Sequence, residues 1–273
     1  MLPATSRVPI PFEAVCMMVM QLYARGRPEE ALAILTCFEL YLRPGEVETI
    51  KVGHLIAPTS RHVAGRTSWT VLLHPREDDV PSKTAEFDET LALDLERHVP
   101  LGIALSALAR RRPQDEPLFR LDARRMAEAF KSTAKELGIA EIGIVHCYQL
   151  RHGGASHDFS AKERSLTEVM RRGRWRSWHS VRRYEKGART VEVVSRLTSS
   201  QREFAVKCVA DVPAVISGRR SPYLAPWLSK LPSKSSRARG GLEKRLLKKV
   251  SESCCGTSRS GKSTTSRAKA RGK

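Results

Sequence analysis

Two consecutive segments near the start of the chain are apolar on almost every helical face. Phe12 to Arg25 follows the helix-blocking entry Pro9-Ile10-Pro11 and is stopped by Gly26. The next segment opens with Pro28-Glu29-Glu30, where proline fits a first helical turn and acids face the positive helix end. It continues through the apolar run Ala31 to Leu42. A helix without a polar stripe must be covered all round, so both segments belong inside a helical assembly. Neither reaches the ~18 apolar residues of a membrane span. The run Val15 to Met20 follows Glu13 and lacks a small-residue cleavage site, so a secretory signal is not expected. No membrane partner is expected from these segments.

Pro44 disfavours helical geometry at Arg43, so the second helix should break there and a short one begin at Pro44. That holds Arg43 on a rigid corner beside core residues. His54 to Ile56 and Thr67 to Leu73 read as two strands of a small antiparallel sheet. A third strand is expected around Pro81 to Phe87 and the following Thr90 to Asp94, with Lys83 at or near a hairpin. Leu101 to Arg111 and Asp122 to Leu137 return to helical patterning. In the latter, Met126, Phe130 and Ala134 recur at spacing four before Gly138. The fold class is mainly α with a small antiparallel β-sheet (α+β).

The stretch from His146 to Tyr184 concentrates arginines and aromatic side chains. Tyr148 and Arg151 are three apart and share a helical face. Gly153, Gly154 and Ala155 are small and permit close helix packing. Leu166 to Arg172 is a further helix, with Gly173 as its stop. Trp175 and Tyr184 are nine apart, which would place them on opposite faces of one continuous helix. They share a site only if the chain turns between them. Arg171, Arg172, Arg174, Arg176, Arg182 and Arg183 surround that turn and are expected to contact DNA phosphates.

The chain carries a net charge of +19 with a pI near 10.2, which calls for a polyanionic partner. Nucleic acid and an anionic membrane surface both fit that balance. Residues 201–273 hold 18 basic and 4 acidic residues, so +14 of the excess lies there and only +5 before it. The expected organisation is a globular domain over 1–200, a C-terminal helix over 201–216 and a basic, disordered tail over 217–273. The tail sequence Gly256 to Ser263 matches the phosphate-loop pattern, but no strand precedes it and only ten polar, basic residues follow, so the mechanism has no scaffold. The six cysteines lack metal-ligand spacing and read as reduced thiols of an intracellular protein, nuclear if the source is eukaryotic.

The ordered set Arg43, Lys83, Tyr148-x-x-Arg151, Trp175, Tyr184 resembles the catalytic domain of tyrosine recombinases of the phage-integrase type. Arg43-Pro44-Gly45-Glu46 is similar to the family's Arg-x-x-Glu box. Lys83 stands where the family has a β-hairpin lysine. Tyr148-Gln149-Leu150-Arg151-His152, followed by small residues, looks like its His-x-x-Arg-His box. Trp175 keeps the family spacing to the nucleophile position, Tyr184. The resemblance covers roughly residues 10 to 200, and it extends to recombinase-type proteins of eukaryotic mobile elements.

The resemblance implies site-specific recombination or integration of double-stranded DNA by a homo-oligomer assembled on it. Tyr184 attacks the scissile phosphodiester and forms a 3′-phosphotyrosyl link, releasing a 5′-hydroxyl. Arg43 and Arg151 clamp the nonbridging oxygens. Lys83 protonates the leaving oxygen, Trp175 donates its indole N–H, and Tyr148 assists phosphate binding or proton transfer. Glu46 and His152 orient these groups. No cofactor or metal is implied. Two features depart from the family. Tyr148 replaces the usual histidine, a poorer base at neutral pH. Family members also usually carry an N-terminal core-binding domain, whereas here the catalytic domain begins almost at Met1. The implied expectation is a truncated, degenerate or partner-dependent chain. The alternatives are a type IB topoisomerase and a catalytically decayed, mobile-element-derived DNA-binding protein.

Overall fold

The computed structural model describes residues 8–58, 68–81, 86–182 and 187–228. Lys83, Arg183, Tyr184 and the basic stretch from 229 onward lie outside the described residues. Helix α1 (Phe12–Ala24) is the central element, and every residue from Ala14 to Leu22 is buried. It packs against α2 (Pro28–Glu39), α4 (Ala123–Glu136), α5 (Tyr148–Ser160) and, most extensively, α9 (Ser199–Ile216). Met17, Met18 and Met20 are completely buried, and their unbranched side chains fill the irregular gaps between these neighbours. Helix α2 is likewise buried from Ala31 to Glu39. The chain is mainly helical, as the all-round apolar patterning requires.

Helix α2 ends before the proline acts on it. Leu40 is its C-cap, and Tyr41 adopts a left-handed backbone with φ 50°. Pro44 then opens a short 3-10 helix, Pro44–Thr49. The expected break at Arg43 therefore falls two residues earlier, because the ring and carbonyl of Tyr41 are held by partners described below.

Strands β1 (Leu55–Ile56), β2 (Trp69–Leu73) and β3 (Glu89–Leu93) form one antiparallel sheet in chain order. Val71 pairs with Leu55 on one side and Leu91 on the other. Val71, Leu73, Leu91 and Leu93 are buried with the two-residue alternation of a half-covered sheet. The third strand starts at Glu89. Glu86 to Asp88 are not strand, and Asp88 is left-handed at φ 57°. Helix α3 (Val99–Ala109) stops two residues short of Arg111. Asp122 caps α4, its side chain accepting the Arg125 N–H at 2.6 Å.

The two glycines of α5 are required for space. A Cβ on Gly154 would lie 1.9 Å from the Phe38 carbonyl oxygen, and one on Gly153 would lie 2.3 Å from that of Ile10. Backbone packs on backbone at this crossing. It draws α5 onto the last turn of α2 and brings Arg151 within reach of it.

The packed region continues beyond α9. Helix α9 packs on α1 within the same compact unit, which extends to Leu228. After α9 the chain folds back: the Tyr223 hydroxyl donates to Asp211 at 2.8 Å, the Ala225 N–H donates to Gln21 at 3.1 Å, and Ala225 is fully buried. Composition changes at Ser217, but Pro222 to Leu228 carries the apolar residues that anchor this return. Among the described residues, no helix is long and apolar enough to cross a membrane.

Candidate active site around Arg43, Arg151 and Trp175

Helix α6 (Leu166–Arg172) ends in a Schellman turn. The Arg174 N–H donates to the Arg171 carbonyl at 2.9 Å, and the Trp175 N–H donates to the Met170 carbonyl at 3.1 Å. The left-handed residue of such a turn is usually glycine. Here Gly173 keeps helical backbone (φ −78°) and Arg174 is left-handed (φ 56°). Gly173 is small for another reason: a Cβ there would fall 1.9 Å from the Trp175 ring. The short helix α7 (Trp178–Val181) follows, with Ser177 accepting the Ser180 N–H. The chain thus turns after Trp175, the condition under which Trp175 and the residues after Val181 can share a site.

Trp175 stacks on Tyr41 with ring centroids 6.3 Å apart, and the Arg151 guanidinium lies 4.8 Å from the Trp175 ring centre. Arg151 is buried and donates from its two terminal nitrogens to the carbonyls of Tyr41 and Gly173. Arg43 donates to Glu46 from its backbone N–H at 2.7 Å and from Nη1 at 2.6 Å. Arg174 joins these two groups. Its Nη2 donates to Glu46 at 2.7 Å and to the Tyr41 carbonyl at 3.3 Å, while Nη1 reaches Glu89 of β3 at 3.3 Å. One chain of charge-assisted bonds therefore runs from Arg43 through Glu46, Arg174 and the Tyr41 carbonyl to Arg151. Burial alone would raise the Glu46 carboxyl. The Arg174 charge and the bonds from Arg43 outweigh it and hold that carboxyl below its ordinary range.

The structure thus brings together Arg43, Glu46, Arg151 and Trp175. Tyr148 is the first residue of α5, one turn before Arg151, and is partly exposed. His146 precedes the helix, and its ring lies 5.8 Å from that of Tyr148. His152 is half-buried beside Arg151.

The basic residues divide into two groups. Arg171, Arg176 and Arg182 are exposed, and Arg176 pairs with exposed Glu86 at 3.0 Å. Arg171 and Arg176 rim a cleft between β3 and α6. Arg172 and Arg174 also line that cleft but direct their guanidinium groups inward. Arg172 donates to the Glu39 carbonyl at 2.9 Å and to the Ala92 carbonyl at 2.8 Å. The inward course of both side chains has a local cause. Arg172 follows buried Val169 by three residues and so shares the inward face of α6, while Arg174 is turned inward by its left-handed backbone. Arg151, Arg172 and Arg174 all end on carbonyls of Glu39 or Tyr41, at the negative end of α2.

A second ionic cluster supports this arrangement and was not anticipated. The Tyr41 hydroxyl donates to Asp158, which also receives Arg97 and, at 3.0 Å, Arg164. Burial and the neighbouring Asp158 carboxylate push the Tyr41 phenol well above its usual range. Arg97 also pairs with buried Glu39. His98 Nδ1 accepts the Leu95 N–H at 3.2 Å, so its Nε2 carries the proton donated to Glu39 at 3.0 Å. His157, Asp158 and Glu163 are near enough to one another for a metal ion. However, Arg97 holds both carboxylates and Arg164 holds Asp158, so the cluster is an ion-pair network. Two residues signalled it. Glu39 is an acid inside an apolar run, and Asp158 lies two helical turns after Arg151 on the same face of α5.

Among solved structures, the chain is similar to the XerH site-specific recombinase bound to palindromic difH substrate in a post-cleavage complex. The identity is 14% and the TM-score 0.46, over 72% of this chain and 55% of that one. The chain thus spans about half the length of that recombinase. No protein-family model and no curated protein matches the sequence.

Proposed function

We propose that this chain breaks and rejoins double-stranded DNA through a 3′-phosphotyrosyl intermediate, in the manner of tyrosine recombinases. The observation that carries this reading is the junction of Arg43 and Arg151. They are more than a hundred residues apart in sequence, yet they end on one hydrogen-bonded chain with Trp175 stacked on Arg151. Among the described residues, Arg43 donates from its side chain only to Glu46, so its remaining guanidinium N–H groups suit a phosphate oxygen.

In the proposed reaction the Tyr184 oxygen attacks phosphorus and a phosphotyrosyl bond forms as the bond to the 5′-oxygen breaks. Lys83 delivers a proton to that oxygen. Tyr148, with His146 beside it, takes part in phosphate binding or in accepting the Tyr184 proton. The two arginines and the Trp175 N–H stabilise the charge that grows on the nonbridging oxygens. Attack by another strand's 5′-hydroxyl reverses the step and joins new partners. Arg171, Arg176, Arg182 and Arg183 contact flanking phosphates. The protein acts as a homo-oligomer on DNA, in the nucleus if the source is eukaryotic. Its finer placement among mobile-element recombinases rests on the motif resemblance.

Nicked suicide DNA substrates test this directly, since a covalent adduct should form and should vanish in Tyr184→Phe. A second reading, a DNA-binding protein that has lost catalysis, is favoured by one observation: Arg151 directs both terminal nitrogens to backbone carbonyls. Tight DNA binding without an adduct on any substrate tested would select it.

A further inference from the structure

We infer that Arg174 is a positioning residue, whose guanidinium fixes the spacing between Arg43 and Arg151 by bridging Glu46, the partner of the first, and the Tyr41 carbonyl, an acceptor of the second. The inference rests on reading the site as a phosphodiester-cleaving centre and names the residue that sets its geometry.

Three features support it. Arg174, Glu46 and Glu89 have side chains only 7%, 6% and 9% exposed, so their ion pairs are sheltered from water and keep their direction. The planar guanidinium reaches three acceptors in fixed geometry, which an ammonium group does not reproduce. Arg174 also occupies a left-handed position that glycine or asparagine normally fills. The turn itself gains nothing from an arginine there, whereas the three side-chain bonds account for one. Glu89 anchors Arg174 to β3, so the sheet is tied to the same guanidinium.

The full chain is compared with Arg174→Lys and with the double variant Arg174→Gln/Glu89→Gln, which leaves no unpaired Glu89. DNA affinity, single-turnover adduct formation and the ¹⁵N guanidinium resonances of Arg43 and Arg151 are measured, with those resonances assigned from Arg43→Lys and Arg151→Lys. The expected result is DNA affinity within about threefold of wild type, adduct formation slowed by at least about thirtyfold, and both arginine resonances shifted together. Folded variants with wild-type adduct rates, or an Arg151 resonance that stays in place when Arg174 is changed, would overturn the inference. If the double variant does not fold, Arg174→Lys decides by the same measurements. If wild type forms no adduct, the cleavage reading fails, and the joint or separate behaviour of the two resonances still decides whether Arg174 couples them.

Discussion

Gly173 sits directly against the ring of Trp175: a methyl group added to its Cα would fall 1.9 Å from that ring. Tyr41 stacks on the indole and the Arg151 guanidinium lies 4.8 Å from its centre, so a displaced ring would lose both contacts. Gly173→Ala should therefore push Trp175 off Arg151. The expected cost is about 1–3 kcal/mol in denaturant unfolding, with changed tryptophan fluorescence. Gly45 meets nothing within 4 Å, so Gly45→Ala should stay within about 0.5 kcal/mol.

Gly154→Ala should be more severe. Its obstacle is the Phe38 carbonyl, a backbone atom that no rotamer change can move. Separating α5 from α2 also withdraws Arg151 from the Tyr41 carbonyl. A drop of at least about 3 kcal/mol is expected, or failure to recover folded protein, as read by urea unfolding.

The two site arginines should separate in mutagenesis. In Arg43→Ala, Glu46 keeps its bond to Arg174, so stability should change by less than about 1 kcal/mol while adduct formation falls by about 10²–10³. In Arg151→Ala the Gly173 carbonyl is deprived of its donor in the interior, and stability should fall by about 1–3 kcal/mol as well. Thermal melts paired with adduct assays would show whether the two variants differ in this way.

Acid should unfold the protein through its buried carboxylates. Burial would raise Glu39, but the His98 hydrogen bond and the Arg97 charge hold it below its ordinary value of 4.5, and Glu46 is held low by Arg174 and Arg43. A depressed native value means that the unfolded chain takes up protons first. The stabilisation is present above pH 4.5 and disappears as pH falls through the native values. Melting temperature should thus drop below about pH 4.5, and Glu39→Gln should flatten that drop. An unchanged slope in Glu39→Gln would assign the acid sensitivity to other groups.

Truncation after Leu228 should leave the fold intact and change only the response to salt. The packed unit ends there, and residues 229–273 contribute 14 of the 48 basic side chains against 2 acidic ones. The melting temperature should be unaltered. The slope of log affinity for DNA against log salt should become shallower by about 0.9 for each phosphate that the shortened chain no longer neutralises.

The elements most legible from sequence are those whose pattern is local. The buried pair α1 and α2 was visible in their apolar faces, α4 in its four-residue spacing, and the close crossing of α5 in Gly153-Gly154-Ala155. Arg43 was legible from its proline corner, and Glu46 through the resemblance to the Arg-x-x-Glu box. The rest depended on long-range geometry. Arg172 and Arg174 look like surface cations until the end of α2 supplies carbonyls for them. Tyr41 looks like one more apolar residue until its hydroxyl finds Asp158. No local pattern marks Arg174 as an inward-turned arginine, because one of its carboxylate partners, Glu89, lies more than eighty residues away.

The last turn of α2 also sets a schedule. Its carbonyls at Tyr41 and Glu39 bind arginines that lie 110 and 133 positions further along the chain. At ordinary rates of synthesis those partners emerge on the order of ten seconds later. Until then the growing chain carries Arg43 without the groups that aim it. Under the proposed mechanism a nascent chain on the ribosome should therefore be unable to nick DNA until Arg151, Trp175 and the nucleophile Tyr184 have all emerged.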